Sequence, residues 1–272
     1  MHMQINKFKE KNVSLIHEVM DVKLFLPGLL GFGASMVIVF ILWRIFLSQK
    51  SFSFVDVVYI NLDRRPDRKR HVLEQIQKNG LTNYKRYAAV DGKNIDKFYH
   101  DARLRPYYDL GENMRWDSNI TKTGMQELSS GEMGCILSHR NIWEQLNQTR
   151  PVLILEDDVV FKTFKSRFKS VYASLPSDWD IFYLGYIDTG GLRPFSTHLR
   201  RTIFVYGAYA YMLSSRGVRK LLHEIPIDRP LDSFLGMLTE TGKMIGYAAF
   251  PPLAEQIEYG GSASDIIHSS KS

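Results

Sequence analysis

The chain has 272 residues, with 35 Lys and Arg against 29 Asp and Glu, for a net charge of +6. At 44% hydrophobic and 12% aromatic residues, it has enough apolar side chain to offset the entropy of ordering, which excludes a disordered chain. One cysteine, Cys135, excludes a disulfide-stapled mini-domain. Half of the net charge sits in the first fifty residues. No long basic stripe remains to track a duplex, so nucleic acid is not an expected partner.

Leu24 to Trp43 reads LFLPGLLGFGASMVIVFILW, without a charge and bracketed by Lys23 and Arg44. At about 1.5 Å per residue it spans about 30 Å, the thickness of a hydrocarbon core. Trp43 stands where an interfacial ring is favoured. A buried core helix would be shorter or amphipathic, and a signal peptide would have a shorter apolar run. The expectation is an N-terminal tail over 1–23, a transmembrane signal-anchor helix over 24–47 and one α/β domain over 51–272. A weak bias of flanking lysines favours a single-pass type II orientation. That places the domain in an ER or Golgi lumen if the chain is eukaryotic, or anchors it to the inner membrane if bacterial.

In chain order, FVDVVYIN at 54–61 is rich in β-branched and aromatic residues and predicts a buried strand. Pro66 fits a first helical turn, Val72, Leu73 and Ile76 recur at helical spacing, and Gly80 fits just past the end. Tyr84 to Val90 predicts a second strand, closed by Asp91-Gly92. Residues 93–128 have no clear period and read as a long excursion, a lid or acceptor loop. Ser129 opens a helix through about Gln148. Val152 to Leu155 has the continuous apolar pattern of a central parallel strand. Further strands are expected at Asp180–Tyr186, Val205–Leu213 and Ile245–Phe250, with helices at Ser214–Glu224 and Leu231–Thr241. This alternation predicts a mostly parallel sheet with helices on both faces.

Ligands of open α/β sheets bind beyond the C-terminal strand ends. Glu156, Asp157 and Asp158 stand there, after VLIL. Three adjacent carboxylates repel one another, and hard oxygen ligands suit Mg²⁺ or Mn²⁺. The plain alternative is a solvated turn with cap carboxylates. Asn61, Asp63, Arg64, Arg65 and Arg68 follow the first strand at the same edge if the two strands are parallel neighbours. Arg64 and Arg68 are the candidates for phosphate contact, while Arg65, Lys69 and Arg70 suit a solvated helix face. Cys135 and His139 lie four apart on one helical face. With no second cysteine they make poor zinc chemistry and read as a buried thiol with a hydrogen-bonded histidine.

Six blocks together resemble glycosyltransferase family 25, which contains lipooligosaccharide galactosyltransferases and collagen hydroxylysine galactosyltransferases. They are VVYINLDRRPDRKR at 57–70, AAVDG at 88–92, GEMGCILSHRNIWE at 131–144, VLILEDDVVF at 152–161, AYAYMLSSRGVRKLL at 208–222 and PIDRPLD at 226–232. The resemblance implies a GT-A fold, a nucleotide-sugar donor (UDP-galactose most often), a divalent metal (usually Mn²⁺) and inversion at the anomeric carbon. It implies Asp158 as direct metal ligand, and Glu156 at the ribose or a metal-bound water. Asp91, Asp157, Ser138 and His139 join Asn61, Arg64 and Arg68 as donor-pocket residues, with Gln256 in the same wall. His268 is a candidate extra metal ligand from the tail. The general base is Asp232, with Asp228 and Asp188 as rivals; Asp232 at a helix start equally suits a cap or an acceptor contact. The acceptor is a glycan, lipid-linked or protein hydroxyl. UDP-glucose as donor, a nucleotidyltransferase, and a GT-A scaffold that binds without turnover are the alternatives.

Overall fold

The computed structural model describes residues 55–97, 100–113 and 123–257. The expected tail, the spanning segment 24–47 and His268 lie outside these residues. No helix among the described residues is long and apolar enough to cross a membrane.

The chain opens with β1 (Asp56–Asn61), α1 (Pro66–Lys78) and β2 (Tyr84–Ala88). Pro66 occupies the first turn of α1, and Gly80 takes φ +74° just beyond its end, a conformation that costs glycine little. The excursion holds a short antiparallel pair, β3 (Tyr107–Asp109) with β4 (Met125–Glu127). It is fastened to a later segment where the Arg105 amide donates to the Ile227 carbonyl at 2.7 Å.

Helix α2 (Ser130–Gln145) starts on a capping box: the Ser129 hydroxyl accepts from the Glu132 amide and the Glu132 carboxylate accepts from the Ser129 amide. It leads into β5 (Val152–Leu155), β6 (Val159–Phe161), α3 (Phe164–Ala173) and β7 (Ile181–Tyr183). Then come β8 (Leu192–Pro194), β9 (Leu199–Thr202), β10 (Ala210–Leu213), α4 (Ser215–His223), α5 (Leu231–Glu240), β11 (Gly246–Ala249) and β12 (Ala254–Gln256). The Ser214 side chain caps α4 through the Gly217 amide.

Among the described residues the main sheet has eight strands in the order β2-β1-β5-β10-β7-β11-β9-β8. It is mixed rather than mostly parallel. β2, β1 and β5 run parallel, as do β7 and β11, whereas β10 enters antiparallel between β5 and β7, and β9 and β8 add antiparallel at the far edge. The physical reason is connectivity. Parallel neighbours need a long crossover, and no helix intervenes between β7 and β10 to make one.

Side chains alternate across this sheet as period two requires. Val58, Ile60, Ile154, Tyr183, Tyr211 and Leu213 pack under α2, α4 and α5. Val57, Tyr59, Leu153, Leu155, Phe182 and Met212 pack under α1 and α3. The expected helices on both faces are therefore present.

Candidate functional site

The parallel register of β1 on β5, Asp56 with Val152 through Tyr59 with Leu155, brings both C-terminal ends to one edge. Asn61 ends the first strand, and Glu156-Asp157-Asp158 follow the second. The antiparallel pair β6–β12 sets Gln256 opposite Val159, beside the acidic triplet. The loop after β2 is drawn against the start of α2 by two glycines. A Cβ on Gly92 would lie 2.1 Å from the Ser130 carbonyl oxygen, and one on Gly134 would lie 2.7 Å from that of Val90.

These elements enclose a cavity of about 370 Å³. Its lining includes Asn61, Arg64, Arg68, Asp91, Ser138, His139, Glu156, Asp157, Asp158 and Gln256, so the donor-pocket candidates lie together around one space. Lys93, Cys135, Ser130 and Gly131 also line it. The last two put the positive end of the α2 dipole at the wall. The S-x-x-E capping signature marks that helix start in the sequence, but nothing there says which cavity it abuts.

The two aspartates are buried among few compensating groups. Asn61 Nδ2 donates to Asp157 Oδ2 at 2.7 Å, and Arg68 Nη1 to Asp157 Oδ1 at 3.3 Å. Arg68 Nη1 also lies 3.6 Å from Asp158 Oδ2, which accepts from Gln256 Nε2 at 3.1 Å. Among the described residues Asp158 Oδ1 is buried without a hydrogen-bond partner. Burial, reinforced by the Glu156 charge, pushes the Asp158 carboxyl up to about 7, against the Gln256 hydrogen bond and the Arg68 charge. Burial likewise raises Asp157, opposed by Asn61 and Arg68. An orphaned buried carboxylate oxygen beside two further carboxylates and a single close guanidinium is a donor set that fits a hard divalent cation.

Glu156 is held from another side. Trp143 Nε1 donates to the Tyr211 hydroxyl at 3.0 Å, and that hydroxyl lies 2.8 Å from His139 Nδ1. His139 Nε2 is 3.2 Å from Glu156 Oε1, and Cys135 Sγ is 3.9 Å from the same oxygen. The sequence reads Cys135 and His139 as a buried thiol and a hydrogen-bonded histidine; the histidine is so bonded, the thiol is half-buried, and the fold sets Glu156 against both.

Arg64 Nε meets Asp91 Oδ2 at 2.7 Å, and that hydrogen bond holds the Asp91 carboxyl low. Ser138 Oγ donates to the Gly134 carbonyl and accepts from the Val90 amide, so it fastens the β2 loop onto α2.

The three base candidates stand apart from the cavity lining. Asp232 accepts from the Ser233 amide at 2.8 Å and the Gly207 amide at 3.4 Å. The residue at the α5 cap is Pro230, with no side-chain cap bond, so Asp232 is not a helix cap. Its charge lies near the cavity floor: after burial and Glu156, it helps raise the Cys135 thiol, and it adds to the burial that raises Tyr183. Asp228 pairs with its neighbour Arg229, which reaches Glu112 in the excursion. Asp188 is exposed and accepts from the Gly190 amide in a turn. Neither Asp228 nor Asp188 joins the acidic triplet.

Known proteins give an independent view. The chain is 32% identical to a "Glycosyltransferase 25 family member" of Anopheles gambiae over 207 residues, 68% of this chain and 32% of that one. It is 31% identical to "Procollagen galactosyltransferase 1" of Danio rerio over 198 residues, 68% of this chain and 31% of that one. It is 28% identical to "Inactive glycosyltransferase 25 family member 3" of Homo sapiens over 234 residues, 77% of this chain and 38% of that one. The chain thus spans about a third of the length of these curated relatives. Residues 55–203, which carry both arms of the acidic site, match the family described as glycosyltransferase family 25 (LPS biosynthesis protein), and the chain belongs to that family.

Proposed function

We propose that the chain is a GT-A-type, metal-dependent, inverting glycosyltransferase that passes galactose from UDP-galactose to an acceptor hydroxyl. The observation that carries this reading is the orphaned Asp158 Oδ1 in a carboxylate triplet that lines a cavity of about 370 Å³. Asp158, with Glu156 and with His268 from the tail, would hold Mn²⁺ or Mg²⁺. When bound, that ion neutralises charge on the departing diphosphate.

The chain's own residues do the rest. Asn61 and Arg68 keep Asp157 and Asp158 close despite their like charge. Arg64 and Lys93 supply positive charge for diphosphate oxygens. The Trp143–Tyr211–His139 chain fixes Glu156, the candidate ribose contact. Asp232 takes the acceptor proton as the acceptor oxygen bonds to the anomeric carbon and the bond to UDP breaks. An anchor over 24–47 would tether the domain to a membrane, with a glycan, lipid-linked or protein hydroxyl as acceptor.

The test is a panel of nucleotide sugars with the full-length chain, Mn²⁺ and candidate acceptors, read as released nucleoside diphosphate. UDP release highest with UDP-galactose is the expected outcome. UDP-glucose as the preferred donor would make it a glucosyltransferase. A released nucleoside monophosphate would make it another reaction class.

A second reading, a scaffold that binds the nucleotide without turnover, is favoured by the likeness to the human relative named as inactive. It would give UDP binding with no release from any sugar.

A further inference from the structure

The fold gathers the chain's only thiol, an imidazole and a carboxylate at the floor of the cavity. Ligand atoms of Cys135, His139 and Glu156 all lie within 4.8 Å of one another. The Nε2–Oε1 separation is 3.2 Å and the Sγ–Oε1 separation 3.9 Å. A tetrahedral zinc-class ion bonds to oxygen and nitrogen at about 2.0–2.1 Å and to sulfur at about 2.3 Å. Those bond lengths put ligand atoms roughly 3.2–3.8 Å apart. The Nε2–Oε1 pair already stands at that spacing and the Sγ–Oε1 pair close to it. Sγ, within 4.8 Å of the nitrogen, closes by about 1 Å at most.

The orientation of the ligands is also set. The Tyr211 hydroxyl sits against Nδ1 of His139 and is itself anchored by Trp143. With an ion between Nε2 and Glu156, the imidazole would carry its proton on Nδ1 and donate it to the Tyr211 hydroxyl, so that the Nε2 lone pair faces the ion. The three side chains line an open cavity, which gives an ion a path in and leaves a fourth position for water.

We propose that Cys135, His139 and Glu156 form a site for a thiophilic divalent cation of the zinc class, centred on Cys135 and His139 and sharing Glu156 with the hard-cation position at Asp158. Binding forms the metal–sulfur, metal–nitrogen and metal–oxygen bonds and releases the Cys135 proton to solvent. The softness of the thiolate discriminates: Zn²⁺ and Co²⁺ are taken, Mg²⁺ and Mn²⁺ are not. Asp157, Asp158 and their cation are not needed for this site.

The test uses Co²⁺ as probe on the full-length chain. Because Cys135 is the only cysteine, a thiolate-to-cobalt charge-transfer band can arise from nowhere else in the chain. The band is expected in the wild type and in Asp158→Asn, is displaced by stoichiometric Zn²⁺ and, in Asp158→Asn, is unmoved by excess Mn²⁺. Cys135→Ser should abolish it, and Glu156→Gln should weaken Co²⁺ affinity at least about tenfold. Zn²⁺ should also slow alkylation of Cys135 in the wild type, a readout that requires no variant to fold. Absence of the band, or alkylation unaffected by Zn²⁺, overturns the proposal.

Discussion

Asn61 Nδ2 reaches Asp157 Oδ2 at 2.7 Å, a hydrogen bond between residues ninety-six positions apart. It ties the end of one strand to the end of its parallel neighbour and gives a buried carboxylate a neutral donor. Replacing Asn61 by Leu removes that donor and leaves the carboxylate desolvated. We expect a loss of about 1–3 kcal/mol, seen as a lower midpoint in denaturant. A divalent cation should restore part of it if the triplet binds one.

Asp232 is expected to act on protons rather than on the donor. Asp232→Asn should lower kcat by roughly 10²–10⁴ and leave the KM for the nucleotide sugar nearly unchanged. A variant with full kcat would move the base to another carboxylate.

Asp180 offers a test of stability away from the cavity. It is fully buried and accepts from Arg216, Lys220 and the Ile245 amide. Burial alone raises its carboxyl, but those donors outweigh it and the net shift is downward. A depressed folded value means the unfolded chain binds the proton more tightly. The stabilisation is therefore complete above the ordinary value of 3.8 and fades as the pH falls through the lower folded value. Asp180→Asn should cost about 2–3 kcal/mol at neutral pH and flatten the acid side of a melting-temperature profile.

Gly134 tests the seam between α2 and the β2 loop. Its missing Cβ leaves room for the Val90 carbonyl oxygen and the Gly92 amide, at 2.7 and 3.0 Å from where a Cβ would stand. Both are backbone atoms, so Gly134→Ala should displace the cavity wall. A cost of about 1–3 kcal/mol is expected, with weaker nucleotide binding measured by calorimetry.

Much of this was legible in the residues. Val152–Leu155 stood out because a strand buried on both faces is continuously apolar, and Ser129 with Glu132 marked the start of α2. The acidic triplet was visible because carboxylates after such a strand are costly. The mixed sheet was not legible. Leu192–Pro194, at the exposed edge, and Leu199–Thr202 beside it carry arginines and lack the apolar pattern that signals a strand. The helix Phe164–Ala173 is absent from the sequence reading although Phe164, Phe168 and Val171, which it buries, recur at helical spacing. Contacts such as Glu156 with Cys135 and His139 depend on the packing of α2 over β5, which no local pattern encodes.

The most direct measurement is calorimetric titration of UDP into the full-length chain with and without Mn²⁺, for the wild type and Asp158→Asn. UDP should bind the wild type at least about tenfold more tightly with Mn²⁺ present, and the variant should lose that gain. Equal UDP affinity with and without Mn²⁺, or an Asp158→Asn chain that behaves as the wild type, would contradict a cation-dependent donor site at the acidic triplet.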